Sequence, residues 1–84
     1  MTQRLVLKGK QILEQSQEAN PHRLALKTRI SYPTIEKYIN RPESIQAYDA
    51  TVIPMLYLDG IEMDPEIFLN LRLGDVFELV KVDD

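Results

Sequence analysis

The residues of this chain that could do chemistry are few. His22 is the sole histidine and cysteine is absent, so a thiolate nucleophile and a transition-metal site both lack their donors. As an early residue of an expected helix, His22 suits a solvated or phosphate-facing role better than that of a general base. Asp59, Glu62, Asp64 and Glu66 cluster, but their spacing and the placement of glycine do not fit a calcium loop. The chain has no glycine-rich phosphate loop. An enzyme is not expected, nor a cofactor, nor a metal. What remains is a set of residue types that meet phosphates and base edges: His22, Arg23, Arg29, Tyr32, Pro33, Thr34, Lys37, Asn40 and Arg41. Lysine and arginine neutralise phosphate or donate to guanine, and tyrosine, threonine and asparagine reach base edges or thymine methyls.

The stretch that must position them runs from Asn20 to Asn40, NPHRLALKTRISYPTIEKYIN. It reads as two short helices separated by a turn of three or four residues. Asn20 can cap the first helix, and Pro21 fits the first helical position, where no N–H is needed. Leu24, Ala25 and Thr28 share one face. Ile30 is an apolar plug in the turn. Ser31 is the better cap chemically for the second helix, but a residue before proline avoids the helical region, which favours Tyr32. Ile35, Tyr38 and Ile39 form the inner face of that helix, leaving Pro33, Lys37, Asn40 and Arg41 outward with Thr34 beside them. Glu36 falls on the border between the faces, where it does least harm near phosphate. Leu26 points away from the inner face of its helix. Packing against the N-terminal segment is the plain expectation for it, and a partner contact the sharper one.

Around this pair the pattern is simpler. Residues 1–8 alternate weakly, as a short strand or the start of a first helix, and Gly9 places the secure helix near Lys10–Gln17 with Ile12 and Leu13 inward. Ser44 can cap a fourth helix carrying the stripe Ile45, Tyr48, Val52 and Met55. Pro54 should kink or split that helix near Thr51–Val52, and Asp59-Gly60 should end it. Asp64-Pro65-Glu66 starts a fifth helix through about Leu71, with Ile67, Phe68 and Leu71 inward. Val76–Val82 has strand composition. A lone strand is not stable, so it must pair with Arg4–Lys8 or with a second subunit, or else be a helix end or irregular tail.

The 84 residues allow one domain with a small core, and 44% hydrophobic residues is ordinary for a globular protein. No apolar run approaches the length of a membrane span, and MTQRLVLKGK lacks the apolar core of a signal peptide. With no cysteine, a cytoplasmic protein with no membrane contact is expected. The formal net charge of −3 hides a strong polarity. Residues 1–41 carry eight Lys and Arg against three acids, a net of +5, and residues 42–84 carry two against ten, a net of −8. The basic half holds the candidate helix pair.

On these residues the chain resembles the Cro/C1-type (XRE-like) helix-turn-helix domain over roughly 7–70. Leu24-Ala25 stands where that family commonly has its Leu-Ala pair, Ile30-Ser31 at the turn before the recognition helix, and Thr34-Ile35 at its common Thr-Ile. Pro42 through Leu58 follows the family's entry into helix 4, and Asp64-Pro65-Glu66 its entry into helix 5. Two positions depart: Arg29 stands where the family usually has Gly or Asn, a site that wants positive φ, and Pro21 replaces a frequent Gln. The resemblance implies an all-α, five-helix bundle of lambda-repressor-like type. It would be a single domain over 1–84, with the helix-turn-helix at 20–40 and a C-terminal extension at 74–84. It also implies a transcription regulator, a repressor or activator, that binds double-stranded DNA with its third helix in the major groove. One module offers few base contacts, so a homodimer on half-sites about one helical turn apart is expected. The competing expectation is a small helical adaptor with a protein partner, or an antitoxin or phage-type accessory protein combining both roles.

Overall fold

The two ends of the chain meet. In the computed structural model, which describes residues 2–82, strand β1 (Thr2–Leu7) pairs antiparallel with strand β2 (Phe77–Val82), from Thr2 opposite Val82 to Leu7 opposite Phe77. Residues 1, 83 and 84, the tips of the two segments expected at 1–8 and 74–84, lie outside the described residues. Of the pairings open to β2, the intrachain one with the N-terminal segment is formed, so the domain is not all-α. Its backbone clasp continues past the strands through Lys8 N–H to Val76 C=O at 3.0 Å. The Leu7 N–H, off the outer edge of β1, is taken by the Tyr48 hydroxyl at 2.8 Å.

Between the strands lie six short α-helices rather than five: α1 (Gly9–Ser16), α2 (Pro21–Thr28), α3 (Tyr32–Asn40), α4 (Val52–Met55), α5 (Pro65–Leu69) and α6 (Leu73–Val76). Pro42–Ser44 forms a 3₁₀ turn, and Leu56–Gly60 continues α4 as a π-helical turn. Leu7, Ile12, Leu24, Ile35, Ile39 and Leu56 are the most deeply buried apolar side chains, so the core lies where α1, α2, α3 and the π-helical turn converge on the inner end of the sheet. The radius of gyration is 12.6 Å, as expected for a compact domain of this length. Among the described residues no helix is long and apolar enough to cross a membrane.

Helix α1 starts at Gly9 rather than after it. A Cβ there would meet the Tyr38 carbonyl oxygen and sit 2.8 Å from Cα and O of Ile39. The glycine therefore marks the backbone-on-backbone approach of α1 to α3 and not a break in the helix. The expected helix from Ser44 is replaced by the 3₁₀ turn and an irregular segment, and α4 begins only at Val52. Pro54 is the reason: within the first turn its missing N–H has no intrahelical partner to lose, whereas a helix from Ser44 would lose a bond there. The stripe residues still face inward, Ile45 and Val52 buried and Tyr48 half-buried. Tyrosine hydroxyls satisfy the irregular backbone, Tyr38 accepting from Asp49 N–H at 2.8 Å and Tyr48 donating to Pro42 C=O at 3.2 Å.

Asp64 caps α5 through its Oδ1, which accepts from Glu66 N–H at 2.8 Å. The helix ends at Leu69, short of Leu71, and its inner face is narrower than expected. Phe68 packs on Tyr57 at 5.6 Å between ring centroids, while Ile67 is 58% exposed. A helix of five residues touching the body on one side cannot bury consecutive positions. Leu26 is 76% exposed and does not cover the N-terminal segment. Helix α2 packs on α1, α3 and the π-helical turn through Leu24, Ala25 and Thr28, while the N-terminal strand is occupied with β2.

Candidate nucleic-acid interface

Two helix starts and one turn set the geometry of the site. Asn20 caps α2 as expected, its Oδ1 accepting from Arg23 N–H at 3.0 Å with Pro21 in the first turn. This leaves His22 and Arg23 exposed at the N-terminal end of α2. At the other end Thr28, almost fully buried, donates its hydroxyl to Leu24 C=O at 2.9 Å and accepts from Ile30 N–H at 3.4 Å. Ile30 is buried, so the turn is plugged from within.

Arg29 occupies the left-handed region at φ 62° and ψ 22°, its N–H closing on Ala25 C=O at 2.8 Å. The turn thus has the shape that glycine or asparagine adopts cheaply, here held by an arginine. Arg29 is exposed. It lines a groove with Lys27, Leu58, Asp59 and Glu62, and Lys27 itself pairs with Glu62 at 3.5 Å.

Helix α3 begins at Tyr32 with Ser31 as the capping residue, so Tyr32 is the first helical residue and not the cap. Pro33 at the second position has no intrahelical N–H bond to lose, so the helix tolerates it there although Tyr32, the residue before it, is helical. The Ser31 hydroxyl makes no bond to the backbone of the helix but lies 2.9 Å from Thr34 Oγ1. Ile35, Tyr38 and Ile39 are buried. Pro33, Lys37 and Asn40 are exposed and Thr34 is half-buried, which brings the outward face together as its spacing requires. Among the described residues no acid pairs with Lys37.

Two contacts within this surface have no signal in helical spacing. Arg41, one residue past α3, folds back on Glu36 with Nε at 3.1 Å and Nη2 at 2.6 Å from the same carboxylate oxygen. That hydrogen bond, and then the charge of Glu36, raise the guanidinium pKa, so Arg41 is charged at every working pH. Glu36 is therefore not an idle border residue. The rings of His22 and Tyr32 stack face to face, centroids 3.8 Å apart and planes within 4°. An aromatic near the start of each helix is the sole hint of this in the sequence.

Lys8 and Lys10 share a groove with Gln11 and Asn40, beside Glu43 and Glu78. Their charge counts towards the +5 of the first half, but nothing in their spacing ties them to α3. Lys8 is anchored through Nζ to Gly74 C=O at 2.8 Å. Among the described residues no group of three or more histidines, cysteines or acids is arranged to hold a metal ion.

No family model, curated protein or solved structure matches the chain. The functional reading rests on geometry and charge.

Proposed function

We propose that this chain is a sequence-specific, double-stranded DNA-binding transcription regulator of Cro/C1 type, working as a homodimer with α3 in the major groove. The observation that carries this reading is the α2–turn–α3 unit itself. A three-residue turn with a left-handed first residue and a buried Ile30 holds α3 so that Pro33, Thr34, Lys37 and Asn40 stand outward. These residue types on one helix face can meet base edges and phosphates together. His22 and Arg23, at the N-terminus of α2, are placed to grip the backbone of the same duplex. Arg41 reaches phosphate or guanine by leaving Glu36. That exchange costs little, because the pair is solvent-exposed. The acidic half of the chain disfavours indiscriminate adhesion to DNA.

A second reading, a protein-binding adaptor or an antitoxin-like accessory protein, is favoured by one observation. Leu26, Leu69 and Leu73 are 76%, 79% and 67% exposed, apolar side chains that a protein partner could cover. Selection from a random duplex library separates the two. The regulator reading predicts enrichment of a two-fold-related site with half-sites about one helical turn apart. Failure to enrich any sequence at low salt favours the adaptor.

A further inference from the structure

We infer that His22 is a positioning residue for base readout: stacked on Tyr32, it holds that ring in the one orientation in which it meets a base edge. This rests on the DNA-binding reading above and adds a residue that sets specificity through another side chain. The two rings belong to different helices, His22 to the first turn of α2 and Tyr32 to the first position of α3. Both are exposed, Tyr32 by 37%, so their orientation comes from each other and not from a surrounding core.

Parallel stacking orients two aromatic rings with respect to each other. At 3.8 Å and 4° the stack ties a ring of α2 to a ring of α3. Those helices are fixed at both ends of α2, by the Asn20 cap and by the Thr28–Ile30 lock. An unstacked, exposed tyrosine would have to be ordered when DNA arrives, which weakens a contact by roughly two- to tenfold. The stack meets that cost beforehand.

The test compares wild type, Tyr32→Ala, His22→Ala and His22→Phe by library selection and by titration of single duplexes. Tyr32→Ala identifies the base pair that Tyr32 reads. At that pair His22→Ala is expected to lose preference by roughly two- to tenfold, over and above any uniform loss of affinity that nonspecific duplex shares. His22→Phe, which keeps a flat ring but no ring N–H, is expected to restore the preference. Two results overturn the inference: an unaltered His22→Ala profile, or a uniform loss on all duplexes that phenylalanine does not restore. The second would make His22 a phosphate contact only. If the wild type binds no duplex, the DNA reading falls and the inference with it, a failure visible in the wild type alone.

Discussion

Arg29 and Glu36 are the residues at which stability and the proposed DNA binding are expected to respond separately. Arg29 has φ 62°, a conformation that disfavours every side chain with a Cβ. It lines a groove with the acids Asp59 and Glu62. Arg29→Gly is therefore expected to raise stability by about 0.5–1 kcal/mol in chemical denaturation, with duplex affinity little changed. Glu36 works in the opposite sense. It occupies Arg41 and adds a negative charge to the helix that the proposed function sets against phosphate. Glu36→Gln is expected to leave the unfolding midpoint nearly unchanged, because the pair is exposed. Duplex binding should tighten several-fold at low salt, since Arg41 then reaches DNA without leaving a partner and a carboxylate near phosphate is removed, a gain that a filter or anisotropy titration reads.

At the scale of elements, α1 and α3 pack backbone against backbone at Gly9. Gly9→Ala would place a methyl against the Tyr38 carbonyl and within 2.8 Å of Ile39 main-chain atoms, none of which can swing aside. A destabilisation on the order of 2 kcal/mol is expected in urea denaturation, despite the better helix propensity of alanine. The same glycine illustrates what the sequence concealed: a residue that reads locally as a helix breaker is explained only by a segment thirty positions away. Helices α2 and α3 were legible because cap, inner face and plug each follow from local chemistry, and Asn20, Leu24, Ile30, Ile35 and Ile39 all behave accordingly. The stripe Ile45–Tyr48–Val52 misled because burial at helical spacing does not require a helix when tyrosine hydroxyls satisfy the backbone. Pairing of β1 with β2 could be stated only as one choice among several, since strand partners far apart in sequence leave no local mark. Of the candidate site, the outward face of α3 was legible from spacing. The His22–Tyr32 stack and the Glu36–Arg41 pair were not, because both join residues on different turns or different elements.

The whole molecule is a clasp, its first and last strands paired in the sheet, and its two candidate-site helices lie in the half of the sequence with a net charge of +5. The buried Tyr57 gives the fold an alkaline limit. Burial first, and the Asp75 carboxylate second, raise its phenol above the ordinary 10.0. A raised folded-state pKa means that the unfolded chain ionises first. This contribution to stability is whole below pH 10 and is lost as pH rises through the higher folded value. Tyr57→Phe is expected to flatten that alkaline loss in denaturation midpoints taken across it. The central claim concerns the basic half, and the salt dependence of duplex binding tests it most directly. Wild type and Lys37→Gln should be titrated with the selected duplex at several salt concentrations. The expected log–log slope is several units in the wild type, smaller in the variant by roughly one unit for each Lys37 in the complex. An absence of binding at low salt, or a slope that Lys37→Gln leaves unchanged, would contradict the placement of α3 against DNA.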